Sequence, residues 1–196
     1  QVHAYAGKEV GMECLEMQVE DLLGIEIDNY VLFNIEAFKA VVDIIGGVDM
    51  YVPYDMYYSD PVQGLYINLK EGQQYLDGDA AEQLVRNRQY ANGDLGRIEV
   101  QQMFISAFVE QVLNTETIIS NGPSLIKAAF EYLETDMSIT DMLNYAKYIE
   151  DIKSSEVLTE TIPGYPQYIN GVSYYIADTS SMGNTVDEIF YSGDEY

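Results

Sequence analysis

Arg86, Arg88 and Arg97 are the only arginines of a 196-residue chain whose formal net charge is −24. Their crowding into residues 86–97 marks a local anion site, because each guanidinium is a planar fork that can grip two phosphate oxygens at once. On a regular helix Arg86 and Arg88 would point roughly 200° apart. The pair therefore predicts that a helix ends near Val85 and that residues 86–89 run extended, where alternate residues share a face. Asn92-Gly93 then reads as a turn and Asp94 as the N-cap of a second helix, with Leu95, Ile98, Ile105, Phe108, Val109 and Val112 on its apolar side. That puts Arg97 in the first turn, with Gln101 one turn on along the same face, beside the free N–H groups of a helix start. Such a convergence suits phosphate or pyrophosphate. The residues equally allow a plainer reading, surface ion pairs with Asp79, Glu82 and Asp94, each worth about 0–1 kcal/mol.

The elements that must hold these groups can be traced on either side. Asp79 and Glu82 read as a capping box opening the helix that leads to Arg86. Upstream, residues 11–24 carry Met12, Leu15, Val19, Leu22 and Leu23 at helical spacing, with Met12 and Met17 as core filler. A strand over residues 30–33, a helix capped by Asn34 and a strand through Val48, Met50 and Val52 form a β-α-β unit, for which two parallel strands are expected. Asp43 and Asp49 flank its glycine turn as ordinary turn carboxylates. Residues 53–64 read as a tyrosine-rich loop (Tyr54, Tyr57, Tyr58) that either covers a ligand or packs as edge residues, and Leu65, Ile67 and Leu69 as a strand before a Gly72 turn. Downstream, Pro123 opens a helix and Ser138 with Asp141 caps another. Residues 157–162 read as a strand, residues 163–166 as a turn, residues 172–176 as its partner strand, and a last helix follows Asn184.

Composition narrows the function further. The acidic balance argues against nucleic acid and anionic lipid as partners. No apolar run is long enough to span a membrane, and no signal peptide is visible. Cys14, the sole cysteine, reads as a small buried or half-buried apolar residue, and His3, the sole histidine, as a packing or hydrogen-bonding group before a catalytic base. Neither a nucleophile elbow, a Walker loop nor a metal motif of His or paired Cys occurs. Phosphate chemistry by positioning and charge neutralisation remains.

Residues 69–102, LKEGQQYLDGDAAEQLVRNRQYANGDLGRIEVQQ, resemble the signature of the LytR–CpsA–Psr family of cell-wall phosphotransferases. They carry a glycine and Leu-Asp-Gly-x-x-Ala lead-in, an Arg-x-Arg pair, and Asp-x-x-Arg with a Gln four residues later. The likeness extends through residues 28–53, with Val42-Asp43-x-x-Gly46-Gly47-Val48, back to His3-Ala4-Tyr5-Ala6, and forward through residues 135–143 and 162–164. It implies an α/β fold, a three-layer α-β-α sandwich with a central mixed, largely parallel sheet. Residues 1–196 would form one domain, the C-terminal two-thirds of the family's, since the family's Asp-Ser-Arg strand end and Pro-Arg-Asp motif do not occur. Val100 stands where family members usually have a further arginine at the rim of the site.

The resemblance also implies a reaction, transfer of a phosphate-linked glycopolymer such as teichoic acid or capsular polysaccharide from a polyprenyl pyrophosphate carrier to peptidoglycan. Arg86, Arg88, Arg97 and Gln101 would be the catalytic and substrate-binding residues. Asp94 would orient Arg97 or cap its helix, and Tyr5 would line the site. Mg²⁺ is expected, with its carboxylate ligands outside this chain and no metal ligand assigned within it. An N-terminal anchor preceding Gln1 would hold the domain outside the membrane of a Gram-positive bacterium, at the cell wall. Two alternatives stay open: a non-catalytic polyprenyl-phosphate or glycan-binding domain of the envelope, and hydrolysis of the pyrophosphate.

Overall fold

The computed structural model describes residues 8–91, 93–114, 131–145, 148 and 158–191. His3, Tyr5 and the helix expected from Pro123 lie outside them. Helices and strands are mixed, as an α/β chain requires, and the described residues fall into two compact units, one within Gln1–Asp28 and Glu160–Tyr196, the other within Asn29–Thr159.

The larger unit contains β1 (Val31–Leu32), α2 (Ile35–Ile44), β2 (Val48–Val52), β3 (Met56–Asp60), β4 (Leu65–Leu69), β5 (Gly72–Leu76), α3 (Gly78–Arg86), α4 (Asp94–Asn114), β6 (Glu134–Thr135) and α5 (Ile139–Tyr145). Strands β2 and β4 alternate strictly between buried and exposed residues, the period-2 pattern of a half-buried sheet. Their inward residues, Val48, Met50, Val52, Leu65, Ile67 and Leu69, join Val42, Leu76, Leu84, Val100 and Phe104 in one apolar core. Helix α4 packs on β2, α3 on β4 and β5, and α2 on α3.

The predicted β-α-β unit is corrected here. Strand β1 pairs with β6 and β2 with β5, both antiparallel, so the two strands flanking α2 are not partners. The chain instead leaves β2, turns through a hairpin and returns as β5. The parallel pairs that the resemblance implies are not among the ladders of the described residues.

The tyrosine-rich loop is a strand for half its length. Residues Met56–Asp60 pair with Leu65–Leu69, burying Met56 and turning Tyr57 outward. Tyr57 and Tyr58, residues that suit a pleated and half-buried surface, outweigh the turn signals at either end. Strand β5 was likewise hidden by its glycine and two glutamines.

Two caps also differ from expectation. Helix α3 is capped by Asp77, whose side chain accepts from the Ala80 N–H, and Asp79 instead meets Lys39 at 2.7 Å. Helix α4 already includes Asp94 as its first residue, and its buried stripe is Val100 and Phe104, with Leu95 and Ile105 largely exposed. Asp43 is more than a turn carboxylate, since it accepts from the Gly78 N–H at 2.7 Å and so ties the end of α2 to the start of α3. Gly78 is required there, because a Cβ would stand 2.5 Å from the Lys39 carbonyl oxygen. The Ser138–Asp141 cap is present in both directions, at 3.1 and 3.2 Å.

The smaller unit comprises α1 (Lys8–Leu23), the β7–β8 hairpin (Gly164–Ile169 with Val172–Ala177) and α6 (Thr179–Val186), which continues as a π-type turn through Tyr191. Among its described residues Met12, Met182 and Val186 are buried apolar side chains, Cys14 is half-buried, and Met17 is exposed rather than core. Strand β7 begins at Gly164, inside the segment read as a turn, while residues 158–162 are not strand. The turn is Asn170-Gly171, both with positive φ, as a tight two-residue hairpin requires. Helix α6 starts six residues before the predicted point, capped by Asp178. Its carboxyl is held down at about 2, first by the Ser180 hydroxyl and then by that of Ser181.

Candidate functional site

The C-terminus of α3 and the N-terminal half of α4 are brought together by one side chain. Gln101 donates its amide to the Val85 carbonyl at 2.9 Å, satisfying one of the acceptors that a helix end leaves without partners. The helix ends one residue later than the spacing predicts, with Arg86 as its last residue. Asn87 then turns extended (φ −60°, ψ 138°) and is buried, its side chain accepting from the Gln89 N–H at 3.3 Å. That change of backbone places Arg88 on the side to which Arg86 already points.

Arg86, Arg88, Arg97 and Gln101 accordingly line a single cavity of about 480 Å³, with Val85 and Gln89. The β3–β4 hairpin adds Tyr58, Gln63 and Leu65 to the wall; Tyr58 is one of the three tyrosines that could cover a ligand, whereas nothing in the sequence pointed to Gln63. Arg86 gives Nη1 to Glu82 at 2.6 Å and Nη2 to Gln63 at 3.3 Å. Arg97 meets Asp94 at 3.2 Å. Among the described residues no carboxylate lies within ion-pair distance of Arg88. Two of the three guanidinium groups thus have acid neighbours, as the ion-pair reading expects, yet all three open on one cavity. Asp94 is 77% exposed and is not part of the wall. Val100, at the position of the family's further arginine, is buried in the core.

Behind Arg86 the charges continue as a chain. Glu82 also approaches Lys39 at 3.5 Å, and Lys39 bonds Asp79, whose carboxylate raises the lysine's pKa. Behind Arg97, Tyr90 is buried edge-on to Tyr54 at 5.7 Å. Among the described residues its hydroxyl has no partner of ordinary hydrogen-bond geometry; burial raises its pKa, against a smaller opposing pull from the neighbouring Asn87 amide and Arg97.

A second cavity adjoins the first. It holds about 510 Å³, its wall is almost wholly apolar, and it includes Phe33, Phe38, Val41, Phe104, Ile105 and Phe108. Val85 and Gln101 belong to both cavities. The rings step through the wall at centroid spacings of 6.3 Å (Phe33 to Phe38), 5.5 Å (Phe38 to Phe104) and 6.2 Å (Phe104 to Phe108).

For the expected Mg²⁺ the described residues offer no ligand set. No group of three or more His, Cys, Asp or Glu side chains among them could hold a metal, and Glu82 and Asp94 are each engaged by an arginine. No helix of the described residues is long and apolar enough to cross a membrane.

The model of the LytR_cpsA_psr family matches residues 2–190. The chain belongs to that family. Among its relatives is the polyisoprenyl-teichoic acid–peptidoglycan teichoic acid transferase TagV of Bacillus subtilis, 30% identical over 168 residues that make up 84% of this chain and 43% of that protein. The TagU transferase of Oceanobacillus iheyensis is 31% identical over 186 residues, 92% of this chain and 54% of that protein. This family member thus spans about half the length of the curated relatives it matches. Among solved structures, B. subtilis TagV covers 95% of this chain and 72% of its own at 27% identity and a TM-score of 0.76. TagT bound to LIIa-WTA covers 95% and 68% at 26% identity and a TM-score of 0.70.

Proposed function

We propose that this LytR_cpsA_psr member transfers a phosphate-linked glycopolymer from a polyprenyl pyrophosphate carrier to peptidoglycan or a related cell-wall acceptor. The observation that carries the reading is the junction of the two cavities at Val85 and Gln101, an arginine-lined pocket opening beside an aromatic cleft. One ligand matches both halves, a diphosphate for the guanidinium groups and an isoprenoid tail for the phenylalanines. The names of the relatives, teichoic acid transferases acting on peptidoglycan, support the same class of donor and acceptor.

In this reading Arg88 meets the diphosphate first, since no carboxylate competes for it among the described residues. Arg86 and Arg97 add charge to the same pocket, and Gln101, which lines it, has a second amide N–H to offer a phosphate oxygen. The acceptor hydroxyl oxygen attacks the glycan-bearing phosphorus, the bridging P–O bond breaks, and polyprenyl monophosphate leaves, the hydroxyl proton passing to the departing phosphate or to solvent. The arginines neutralise charge on the transferring and departing phosphates, where fixed donors count most. Mg²⁺, if required, draws its ligands from outside the described residues, and no step is assigned to it.

The test is a titration of a polyprenyl pyrophosphate into wild type and Arg86→Ala and Arg88→Ala variants, with product analysis. Weaker binding in both variants and glycopolymer phosphate on the acceptor support the proposal. Equal binding in all three removes it. Binding without turnover supports the carrier-binding alternative, and phosphate released to water supports hydrolysis.

A further inference from the structure

We propose that Gln63, at the tip of the β3–β4 hairpin, is a positioning residue that sets the plane of the Arg86 guanidinium, an assignment that rests on the anion-site reading above. The hairpin tip is built to hold this one side chain. Asp60 accepts from the Val62 and Gln63 backbone N–H groups at 3.0 and 3.1 Å through one carboxylate oxygen, and from Gln63 Nε2 at 2.8 Å through the other. An ionised carboxylate can only accept, so the amide nitrogen must face Asp60 and the amide oxygen is left pointing the other way. That oxygen takes Arg86 Nη2 at 3.3 Å, while Glu82 takes Nη1 at 2.6 Å.

A guanidinium held at both terminal nitrogens cannot rotate about its long side chain, and the N–H groups not so engaged remain for the cavity that it lines with Gln63. The two holders are not equivalent. Glu82 orients Arg86 but also cancels part of its charge. Gln63 is neutral, so it orients Arg86 without reducing the field felt by an anion. Its removal therefore has one sign only, a loss of pre-organisation. The loss acts through Arg86 and disappears when Arg86 is absent.

The experiment is isothermal titration of geranylgeranyl pyrophosphate into wild type, Gln63→Met, Gln63→Ala and Arg86→Ala, and into the two Gln63 substitutions in the Arg86→Ala background. Methionine keeps the length and bulk of the side chain and removes the amide. Both Gln63 variants are expected to weaken binding about three- to tenfold, in the range of one ordinary hydrogen bond, since the loss acts only through the orientation of Arg86. In the Arg86→Ala background they should change affinity less than about twofold, the pattern of a coupled pair. Melting temperatures should match wild type, because Gln63 is exposed. Wild-type affinity in Gln63→Met overturns the proposal, and so does an equal loss with and without Arg86, which would make Gln63 a direct wall contact. Should Arg86→Ala itself bind like wild type, the anion-site reading fails first, a result distinct from either.

Discussion

The two cavities that meet at Val85 and Gln101 are built in opposite ways. The apolar cleft is continuous with the folding core, since Phe104 is one of the core's buried residues and also part of the cleft wall. The arginine cavity is made by the ends of partly exposed side chains reaching past the core, with Arg86 at 29% and Arg97 at 24% exposure. One wall therefore contributes to stability whether or not a ligand is present. The other contributes little to stability, and its cost is a cluster of like charges that only local carboxylates offset. Substitutions should separate the two.

The largest effect is expected at the shared wall. Phe104→Ala removes a buried ring from both core and cleft and should cost about 3–5 kcal/mol of stability, read from urea unfolding. A cost below about 1 kcal/mol would break the comparison, since the cleft would then be separate from the core. Next comes Arg88→Ala, expected to weaken binding of geranylgeranyl pyrophosphate tenfold or more, about 1.4 kcal/mol per decade, with the melting temperature unchanged. A clear fall in melting temperature would place Arg88 among the structural ion pairs.

Tyr90→Phe sharpens the contrast from the other side. It deletes a buried hydroxyl that makes no hydrogen bond of ordinary geometry among the described residues, so the fold should gain about 1 kcal/mol in the same unfolding experiment. Destabilisation would mean that the hydroxyl has a partner after all.

The smallest effect lies outside both cavities. Asp178 has its pKa lowered from 3.8 to about 2 by the serine hydroxyls of its cap. A depressed carboxyl stabilises the fold above its unfolded pKa, and that contribution is lost as pH falls through the folded value. Asp178→Asn should accordingly lose less stability than wild type between pH 5 and pH 2, measured by thermal melts across that range. Parallel pH profiles would show the cap to be irrelevant to acid unfolding.

How much of this was legible in the sequence follows the range of the interactions. The approach of Arg86, Arg88, Arg97 and Gln101 could be read because it depends on local events, a helix that ends, an extended step and a helix that begins within a short stretch. Tyr58 was in view only as one of three loop tyrosines, and Gln63 not at all, because their place at the cavity depends on a hairpin whose first strand lay hidden among tyrosines and prolines. The apolar cleft was invisible for a related reason. Phe38 and Phe108 are ordinary members of helix faces, and Phe104 was not on the predicted face at all; only the packing of α2 against α3 and of α3 against α4 leaves a hollow between them. The pairing of β7 with β8 was within reach, since Asn170-Gly171 is a strong hairpin signal, but the proline-flanked glycine at Gly164 was given more weight than it could bear. Parallel pairing of the strands around α2 was inferred from their order, and order alone does not say where a strand finds its partner.

The central claim is that both cavities hold one ligand, head in the first and tail in the second. It is tested most directly by titrating inorganic pyrophosphate and geranylgeranyl pyrophosphate, in one detergent buffer, into wild type, Arg88→Ala and Ile105→Asp. The account predicts that the isoprenoid compound binds more tightly than pyrophosphate, that Arg88→Ala weakens both, and that Ile105→Asp weakens only the compound with the tail. Equal affinity with and without the tail, or tail binding untouched by either substitution, would contradict it.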